Sequence, residues 1–506
     1  MHSKTHYSAM LSSLLTGIGS VPAALDTRVH GLALDSRRVK SGDLFLAVSG
    51  LKSGARDHID DALARGAVAV VVEAESNEVG QGGLISEDGD AVEVQVPDLK
   101  RYLGEIAARF FEFPSRDMKV IGVTGTNGKS SVTHYIAQYL TLCGEACGVI
   151  GTLGYGMPYG VEPFEEEVSH TTPDVVALQF YLATLRDAGA AYVAIEVSSH
   201  GLDQGRVDGV EFYGAVFTNL TRDHLDYHQS MEAYAAAKRR LFERTELLFA
   251  ALNSDDPASE TMRLACAADT VVYQFGLGSD CEIRASKVDF EQGIQACIHR
   301  PDGEMPIRST LVGSFNLSNV LATATVGLAL GLPVSSLAHL QKLRAIPGRM
   351  QCWQENGSPQ VVVDYAHTPD ALQNVLSALR SQSAGSLLVV FGCGGDRDRG
   401  KRAQMGRIAS ELADFVLLCD DNPRTEDPEQ ITRDILQGIS ARDNCRVVHD
   451  RADAITHALA TAQAGDVVLI AGKGHETYQE QNGKRRDFND LLVARECWQK
   501  LQQAKG

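Results

Sequence analysis

The chain has 506 residues, of which 44% are hydrophobic and 22% are charged, as in a folded globular protein. This length favours roughly two to four domains over one large core. The formal net charge of −18, from 47 basic and 65 acidic residues, argues against a nucleic-acid-binding protein. We find no run of about 18 apolar residues and no signal-peptide pattern, so we expect no membrane span and a cytoplasmic protein with reduced cysteines.

The first hundred residues alternate short apolar runs with turns, as in GLALDS, DLFLAVSG, HIDDALARG and AVAVVVEA. This alternation predicts a small α/β domain. The stretch GLALDSRRVKSGDLFLAVSG places Asp, Ser, Arg and Gly between two strands. Such a composition is found in loops that hold polar ligands and equally in plain surface loops.

The run VIGVTGTNGKSS predicts a strand, a glycine-rich loop and the start of a helix. Backbone N–H groups and the positive helix end would face an anion, Lys129 would reach the terminal phosphates, and Ser130 would meet Mg²⁺. The spacing differs from the common P-loop, because Val123 stands where that pattern has its first glycine, and glycine is found instead at Gly122 and Gly125. An incidental glycine-rich turn is the alternative, but the strand context favours binding of a nucleoside triphosphate.

Two further strand–loop segments, YVAIEVSSHGL and GAVFTNLTRDHLDYH, should bring polar side chains to the same sheet edge. In them, Glu196 offers a carboxylate suited to Mg²⁺, whereas the imidazole of His224 suits softer metals. From the residues alone, a structural role is an equal alternative for both. Lys238 lies beside two arginines in EAYAAAKRRLF, where charge patterning favours a solvated basic patch.

PGRM at residues 347–350 precedes four buried-strand runs, QVVVDYAHTPDAL, SLLVVFGCGGDRD, FVLLCDDNPRTEDP and DVVLIAGKGHE. Each run ends in a polar loop, which predicts a Rossmann-like parallel sheet with its functional loops on one edge. GCGGDRD lacks the GxGxxG spacing, which argues against dinucleotide binding. We therefore predict an α/β protein of three domains: a small N-terminal domain (1–101), a central P-loop domain with a mostly parallel sheet (102–345) and a C-terminal Rossmann-like domain (346–506).

The ordered motifs GVTGTNGKSS, EVSSHGL, TNLTRDHLDYH, FNLSN, PGRM, DYAHTPD and DDNPRTEDP resemble the Mur ligase family over essentially the whole chain. The resemblance is strongest to members that add the third amino acid of the peptidoglycan precursor. It implies an ATP-dependent ligase that joins meso-diaminopimelate to UDP-N-acetylmuramoyl-L-Ala-D-Glu through an acyl phosphate. It also implies small-molecule substrates and two Mg²⁺ ions. We further expect a monomer with no nucleic-acid or membrane partner.

The resemblance assigns ATP-binding roles to the phosphate loop and to motifs further along the chain: Gly125, Thr126, Asn127, Gly128, Lys129, Ser130, Ser131, Asn219, Asn316, Asn319, Arg349 and Asp364. The implied catalytic residues are Lys129, Glu196, His224 and a carbamylated Lys238. The implied metal ligands are Ser130, Glu196, His224 and Lys238. For the asparagines of FNLSN, helix capping is the alternative interpretation.

The same resemblance implies a site for the UDP-sugar in the N-terminal domain and a site for the sugar and its dipeptide in the central domain. Its residues are Leu34, Ser36, Leu51, Lys52, Ser53, His170, Thr171, Thr172, Ser198, Gln204 and Arg206. His170 stands where the family has asparagine. Hydroxyl groups and a guanidinium are suitable types for orienting carboxylates.

The motif Asp421-Asn422-Pro423-Arg424 combines a turn fixed by proline with a guanidinium that fits a carboxylate. From the residues alone, a plain turn after a strand is the alternative. The resemblance implies that Arg424 binds the distal carboxylate of diaminopimelate, since lysine-adding relatives lack this arginine. Arg397, Gly472 and Glu476 complete the implied amino-acid site, with Glu476 suited to the distal ammonium group.

Three other functions compete with this interpretation. A lysine-adding ligase is disfavoured by Arg424, and a ligase similar to folylpolyglutamate synthetase is disfavoured by the N-terminal block and by the DNPR motif. A nucleotide-regulated binding protein without turnover is disfavoured by the retained Lys129, Glu196, His224 and Lys238.

Overall fold

A computed structural model describes residues 7–48, 54, 56–74, 83–84, 91–159, 170–291, 293–355, 357–383, 385–440 and 442–505. The predicted UDP-sugar loop at Leu51, Lys52 and Ser53 lies outside these residues. The chain divides into two compact units. The first unit consists of Met1–Gly122 and Glu145–Gly214, and the second of Val123–Gly144 and Ala215–Gly506.

The β-strands are numbered in chain order. They are β1 (Ala9–Met10), β2 (Arg28–Val29), β3 (Gly31–Ala33), β4 (Asp43–Ala47), β5 (Ala69–Glu73), β6 (Gly83–Leu84), β7 (Val92–Val96), β8 (Lys119–Thr124), β9 (Cys147–Gly151), β10 (Gly154–Gly156), β11 (Tyr192–Glu196), β12 (Gly214–Phe217), β13 (Phe249–Asn253), β14 (Val271–Gly276), β15 (Ile283–Asp289), β16 (Ile294–Arg300), β17 (Gly303–Ser309), β18 (Gln351–Trp353), β19 (Gln360–Asp364), β20 (Leu387–Phe391), β21 (Phe415–Leu418), β22 (Cys445–Val447), β23 (Val467–Ala471), β24 (Tyr478–Gln481) and β25 (Lys484–Asp487).

The α-helices are numbered in the same way. They are α1 (Leu11–Leu14), α2 (Ile59–Ala64), α3 (Leu103–Phe110), α4 (Lys129–Leu142), α5 (Val175–Asp187), α6 (Ser199–Asp203), α7 (Leu225–His228), α8 (Met231–Arg239), α9 (Ser259–Arg263), α10 (Ser314–Ala329), α11 (Pro369–Gln382), α12 (Arg402–Leu412), α13 (Pro428–Leu436), α14 (Arg451–Thr461) and α15 (Asp490–Lys505).

The first unit contains a five-stranded sheet in the order β3-β4-β5-β7-β6, parallel except for β6. All residues of strand β4 are buried. Because successive side chains of a strand point to opposite sides, both faces of β4 are therefore covered. Leu44 and Leu46 join the core formed with α1 and α3, whereas Phe45 packs in a second core with Ile59 of α2. The unit also has a strand series β10-β9-β11-β8, in which β9 and β11 run parallel.

The second unit begins with the series β12-β13-β14-β15-β16-β17. Strands β13, β14 and β15 are parallel, and β15, β16 and β17 form an antiparallel meander. Helix α10 is buried along most of its length and packs on α4 and β14. This part of the second unit thus combines a β meander with a long buried helix.

A six-stranded sheet completes the second unit, in the order β18-β19-β23-β20-β21-β22. All neighbouring strands are parallel except β18 and β19. Helices α11, α12 and α13 cover one face, and α14 and α15 cover the other. Covering both faces explains the nearly continuous apolar strands. The four predicted buried-strand runs are confirmed as β19, β20, β21 and β23, and their carboxyl ends share one edge.

The α/β class with mostly parallel sheets is thus confirmed, while the boundaries at residues 101 and 345 stay a prediction. The hairpin β24–β25 was not predicted from the sequence. All ten cysteines lie in the described part of the chain and none forms a disulfide, while their reduced state stays a prediction. None of the helices in the described part of the chain combines the length and hydropathy that crossing a membrane requires.

Candidate active site

The phosphate loop, residues 125–131, connects the end of β8 to the start of α4. Gly125 and Gly128 have φ angles of 152° and 86°, a region that disfavours residues with a Cβ atom. A Cβ on Gly125 would lie 1.9 Å from Oγ1 of Thr218, and one on Gly128 would lie 2.7 Å from Oδ1 of Asn319. Glycine is therefore required at both positions, because the loop backbone lies close to Thr218 and Asn319.

Helix α4 begins at Lys129 without a side-chain N-cap. A helix N-terminus of this kind attracts anions through its N–H groups and its dipole. The Nζ atom of Lys129 folds back over the loop and donates to the carbonyl oxygens of Gly125 at 2.9 Å and Thr126 at 2.8 Å. Ser130 and Ser131 are buried in the first turn. The predicted strand, loop and helix are all present.

The loop is held by a neighbouring segment of the second unit. Asn127 exchanges two hydrogen bonds with Asn219: its backbone N–H donates to Oδ1 at 2.9 Å, and its carbonyl accepts from Nδ2 at 3.1 Å. The hydroxyl of Thr218 also donates to the Asn127 carbonyl, at 2.6 Å. Thr126 accepts from the backbone N–H of Thr221 and donates to its carbonyl. Asn219 therefore lies beside the loop, where the sequence prediction placed it.

Lys238 is buried, with 1% of its surface exposed, and its Nζ donates to the Gly125 carbonyl at 2.8 Å. The ammonium also lies 4.3 Å from the ring centre of Tyr234. The solvated basic patch, favoured from charge patterning, is wrong for this residue. Burial and the nearby charge of Lys129 hold the pKa of Lys238 well below its usual value, although Asp223 acts in the opposite direction.

His224 has a φ of 54° and its Nε2 lies 3.4 Å from the buried carboxylate of Asp223. The same carboxylate faces His367 at 3.6 Å and Lys401 at 3.5 Å. Burial alone would raise the pKa of Asp223, but His367, Lys401 and His224 together hold it well below its usual value. Asp223 was not singled out from the sequence, although its position next to His224 was a usable signal.

The asparagines of FNLSN do not cap α10, because the N-cap residue is Gly313 and no side chain caps it. Asn316 instead donates to the Val312 carbonyl at 2.9 Å and accepts from Nδ2 of Asn319 at 3.2 Å. Both side chains are buried. The capping alternative is therefore wrong, and Asn319 stands against the phosphate loop at Gly128.

Arg349 reaches the phosphate loop from the segment before β18. Its guanidinium donates to Oγ of Ser130 at 3.1 Å and lies 4.2 Å from the ring centre of Tyr365. Asp364, at the end of β19, accepts from the N–H groups of Met350 and Ala366, both at 2.7 Å. Burial raises the pKa of Asp364, and Arg349 counteracts this. The structure thus brings Arg349 to Ser130 and fixes Asp364 next to the segment that carries Arg349.

In the first unit, Glu196 ends β11 and is almost fully buried. Its two carboxylate oxygens accept from the N–H of Thr152 at 2.8 Å and from the hydroxyl of Thr152 at 3.1 Å. The Thr152 hydroxyl also lies within hydrogen-bond distance, 3.1 Å, of the Thr171 hydroxyl. Glu196 therefore belongs to a hydrogen-bond network that the sequence did not predict, since Thr152 was not singled out.

Thr172 extends this cluster toward the remaining predicted residues of the first unit. Its hydroxyl donates to the Glu196 carbonyl at 2.8 Å and lies 3.0 Å from the Ser198 hydroxyl. Arg206 donates to the Thr172 carbonyl at 2.8 Å and to the side-chain oxygen of Gln204 at 2.6 Å. The structure brings these residues together. It leaves His170 exposed at their edge.

Leu34 and Ser36 lie beyond the end of β3, in a different part of the first unit. Leu34 is partly buried against the core of the five-stranded sheet, and Ser36 is buried at the start of a short 3₁₀ helix. Asp35 between them accepts from the backbone N–H of Arg37. The segment is a tight turn at a strand end, which suits a ligand loop and a plain surface loop equally.

The DNPR loop, residues 421–424, follows β21 in the second unit. Arg424 has a φ of 54°, and its NH1 donates to the Gly395 carbonyl at 2.8 Å. The backbone of Arg424 pairs with the hairpin β24–β25, donating to Glu480 at 3.1 Å and accepting from Asn482 at 2.6 Å. The DNPR loop thus pairs through its backbone with the hairpin β24–β25, so it is more than a plain turn after a strand.

The predicted amino-acid-site residues surround this loop. Nδ2 of Asn422 donates to Oε2 of Glu476 at 2.8 Å. A Cβ on Gly472 would lie 2.5 Å from Oδ2 of Asp421, so glycine allows the two loops to approach. Arg397 lies on the facing loop and donates to its neighbour's carbonyl, that of Asp396, at 3.0 Å.

Sequence reasoning missed two side chains of the GKGHE segment. Lys473 is fully buried and bonds to Asn422 and Glu476. His475 lies 5.3 Å from the ring of Tyr365, and burial together with Arg349 and Lys473 lowers its pKa to about 3. A lysine and a histidine between glycines after a buried strand were the available signal.

A separate group of possible metal ligands lies on the antiparallel meander. Ligand atoms of Cys297, His299 and Glu304 come within 4.8 Å of one another. Both ring nitrogens of His299 already have partners, Ser286 at 2.6 Å and Glu304 at 2.7 Å. These two contacts account for the arrangement, and we assign no metal to it.

Comparison with known proteins matches three family models to this chain. They are the Mur ligase family catalytic domain (residues 28–111), the Mur ligase middle domain (residues 123–327) and the Mur ligase glutamate ligase domain (residues 348–474).

Two curated relatives are named UDP-N-acetylmuramoyl-L-alanyl-D-glutamate–2,6-diaminopimelate ligase. The protein from Ectopseudomonas mendocina is 49% identical over 473 residues, covering 93% of this chain and 95% of the relative. The one from Pseudomonas aeruginosa is 50% identical over 476 residues, with the same coverage. A solved structure of a ligase with this name is 37% identical, has a TM-score of 0.65, and covers 94% of this chain and 95% of its own.

A more distant solved structure, a MurF ligase from Thermotoga maritima in complex with ADP, is 19% identical with a TM-score of 0.64. It covers 96% of this chain and 100% of its own, and it supports the fold alone. A phosphate loop at a strand end and a separate polar loop cluster on a Rossmann-like sheet, together with these matches, define an ATP-dependent, amide-forming ligase. The chain belongs to the Mur ligase family.

Proposed function

We propose that this protein adds meso-diaminopimelate to the D-glutamate of UDP-N-acetylmuramoyl-L-Ala-D-Glu, with ATP as cosubstrate, in the synthesis of the peptidoglycan precursor. The relatives that carry this activity in their names match nearly the whole chain. We further propose that the protein acts in the cytoplasm as a monomer.

The observation that carries the amino-acid assignment is the arrangement of opposite charges around the DNPR loop. NH1 of Arg424 is held by Gly395, while no acceptor among the described residues binds its other guanidinium nitrogens. Glu476 offers a carboxylate next to Asn422 of the same loop. A guanidinium and a carboxylate together complement a distal carboxylate and ammonium. Lysine has the distal ammonium but lacks the distal carboxylate, so the guanidinium of Arg424 would distinguish diaminopimelate from lysine.

The reaction follows from bringing ATP to a carboxylate. An oxygen of the D-glutamate γ-carboxylate attacks the γ-phosphorus of ATP, the bond to the β-phosphate oxygen breaks, and an acyl phosphate and ADP form. The amine of diaminopimelate, after losing a proton, attacks the acyl carbon, and phosphate leaves. Positioning and charge stabilisation supply most of the rate acceleration in such transfers.

For ATP, we propose that the N–H groups of residues 125–131 and Lys129 hold the phosphates. Asn219, Asn316, Asn319, Arg349 and Asp364 complete the site. Arg349 supports this role because its guanidinium already bonds Ser130 in the first turn of α4. The Arg349 guanidinium, which comes from a separate segment of the chain, would stabilise the negative charge that develops on the transferred phosphoryl group.

We propose Ser130, Glu196, His224 and carbamylated Lys238 as Mg²⁺ ligands. Hydroxyl and carboxylate oxygens are the donors that Mg²⁺ prefers, and the buried carboxylate of Glu196 fits this chemistry. Bound Mg²⁺ would neutralise phosphate charge during transfer. Carbamylation needs the neutral amine, which adds to the carbon of CO₂ and releases a proton. Burial of Lys238, which favours the neutral form, supports this step.

For the acceptor, we propose that the cluster of Thr171, Thr172, Ser198, Gln204 and Arg206 orients its sugar and peptide carboxylates. His170 would contact it from the exposed edge. Leu34 and Ser36, with Leu51, Lys52 and Ser53, would bind the UDP-sugar end. Hydroxyl groups and a guanidinium fixed by neighbours provide directed donors for such groups.

For the amino acid, we propose that Arg397, Asp421, Asn422, Pro423, Arg424, Gly472 and Glu476 form the diaminopimelate site. The test is phosphate release with ATP and the UDP-dipeptide precursor, using meso-diaminopimelate, L-lysine and L-ornithine in turn. We expect release that requires both precursor and amino acid, with diaminopimelate the preferred one. Preference for L-lysine would identify a lysine-adding enzyme, and ATP binding without turnover would contradict the ligase assignment.

A further inference from the structure

Lys473 lies immediately after β23, between Gly472 and Gly474 in the GKGHE segment. Its side chain is fully buried, with 0% of its surface exposed. A buried ammonium group is costly unless it is paired and hydrogen-bonded. The partners of Lys473 therefore indicate why a lysine is tolerated here.

Those partners are two residues of the proposed amino-acid site. Nζ of Lys473 donates to Oε2 of Glu476 at 2.8 Å and to Oδ1 of Asn422 at 3.1 Å. The ammonium also lies 5.4 Å from the ring centre of Tyr478, at the base of the hairpin β24–β25. One buried cation thus connects the DNPR loop to the segment that carries Glu476.

This pairing fixes the orientation of both side chains. Oε2 of Glu476 accepts from Lys473 and from Nδ2 of Asn422, whereas no donor in the described part of the chain reaches Oε1. Oδ1 of Asn422 accepts from Lys473 and from the backbone N–H of Glu480. One carboxylate oxygen is thus engaged by the protein and the other remains for a cationic ligand.

We propose that Lys473 is a positioning residue that holds Asn422 and Glu476 so that Oε1 of Glu476 receives the distal ammonium group of the amino-acid substrate. The inference rests on the proposed function, since it concerns the same amino-acid site. Lys473 contacts no substrate itself. It acts by fixing the rotamers of two ligand-binding side chains and by balancing the carboxylate charge before the substrate arrives.

The test compares Lys473→Met with the unaltered enzyme, by measuring KM for each of the three substrates and kcat. We expect KM for diaminopimelate to rise about tenfold or more, because a small displacement of positioning groups is costly. KM for ATP and for the UDP-dipeptide precursor should change less than about twofold. Equal rises in all three KM values would overturn the proposal, as would an unchanged KM for diaminopimelate.

Arg300→Met is the matched control, because Arg300 is also a buried cation paired with a carboxylate, that of Asp302 at 2.8 Å, but on strand β16. We expect it to leave KM for diaminopimelate unchanged. A rise as large as that of Lys473→Met would mean that loss of any buried cation disturbs the site, which would overturn the specific role.

A double-mutant cycle with Glu476→Gln keeps the test decisive if Lys473→Met alone fails to fold. The combined variant removes both charges and leaves no unpaired buried ion. We expect the rise in KM for diaminopimelate in the double variant to be much smaller than the product of the rises in the two single variants. If Lys473→Met does not fold, the comparison is with Glu476→Gln alone, and the KM of the double variant should stay within about threefold of the KM of Glu476→Gln. Independent, multiplicative effects would overturn the proposal. If the unaltered enzyme does not use diaminopimelate, the proposed function fails instead.

Discussion

The phosphate loop and the DNPR loop each follow a strand, β8 and β21 respectively, but they are held in different ways. Much of the shape of the phosphate loop comes from its own residues: two glycines with positive φ angles, a helix N-terminus, and Lys129 bonded to carbonyls three and four residues earlier. Thr218, Asn219 and Thr221 then hold the loop from a neighbouring segment. The DNPR loop is fixed by residues far along the chain, including Lys473 and Glu480.

This contrast separates two parts of the chemistry. Activation of a carboxylate by ATP is common to many enzymes, and a short local motif provides the core of its phosphate site. Selection of one amino acid requires opposite charges at set distances, and these come from loops that only the folded sheet brings together. We therefore expect changes in the phosphate loop to affect all turnover, and changes around the DNPR loop to affect the amino acid alone.

The largest expected effect is that of Lys129→Ala. Removing a cation that stabilises charge in the transition state should lower kcat by about 10²- to 10³-fold, whichever amino acid is supplied. Phosphate release with ATP, precursor and each amino acid measures this loss. Lys342→Ala, a change at an exposed lysine, is the control and should keep full activity. Retention of more than about a tenth of the activity would contradict the role of Lys129.

The next largest loss of activity is expected for changes at Lys238. Burial of its amino group lowers the stability of the fold, whereas the proposed carbamate is needed for turnover. Lys238→Arg should lose roughly 10²-fold in turnover, since arginine forms no such carbamate. Lys238→Met should be equally inactive yet unfold at an equal or higher denaturant concentration at neutral pH, because it removes a buried amine whose charged form is destabilised by burial.

The stability gained by Lys238→Met should depend on pH. The folded-state pKa of Lys238 is lowered, so between this value and the usual lysine value the unfolded chain binds more protons, and stability rises with pH. The stability difference between Lys238→Met and the unaltered protein should therefore shrink as pH rises toward about 10. Arg239→Met, at an exposed neighbour, is the control. An active Lys238→Arg enzyme would argue against the carbamate.

The smallest of these effects belongs to Arg424→Ala. Loss of a charge-assisted hydrogen bond of about 1.5–3 kcal/mol should raise KM for diaminopimelate roughly 10- to 100-fold. KM for the UDP-precursor and for ATP should stay unchanged, which a three-substrate kinetic comparison measures. Equal loss for precursor and amino acid would mean that the DNPR loop is only structural.

Much of the fold could be predicted because its signals are local. Buried strands such as β20 and β23 are continuous apolar runs, and glycine, proline and aspartate mark the loops after them. The hairpin β24–β25 could not be predicted, because its strands are short and polar and are stabilised by pairing with Arg424. Charge patterning failed at Lys238, since it assumes an exposed helix face.

By itself, the sequence determined the buried strands of the C-terminal sheet, the phosphate loop, and the family to which the chain is similar. Those features depend on apolar periodicity and on residues close together in the chain. Only the tertiary structure decided that Lys238 is buried against Gly125, that Asp223 faces three cationic or imidazole groups, and that Lys473 holds Asn422 and Glu476. Most of these contacts join residues separated by tens to hundreds of positions, and burial, which sets their charge state, exists only once the sheets and helices have packed.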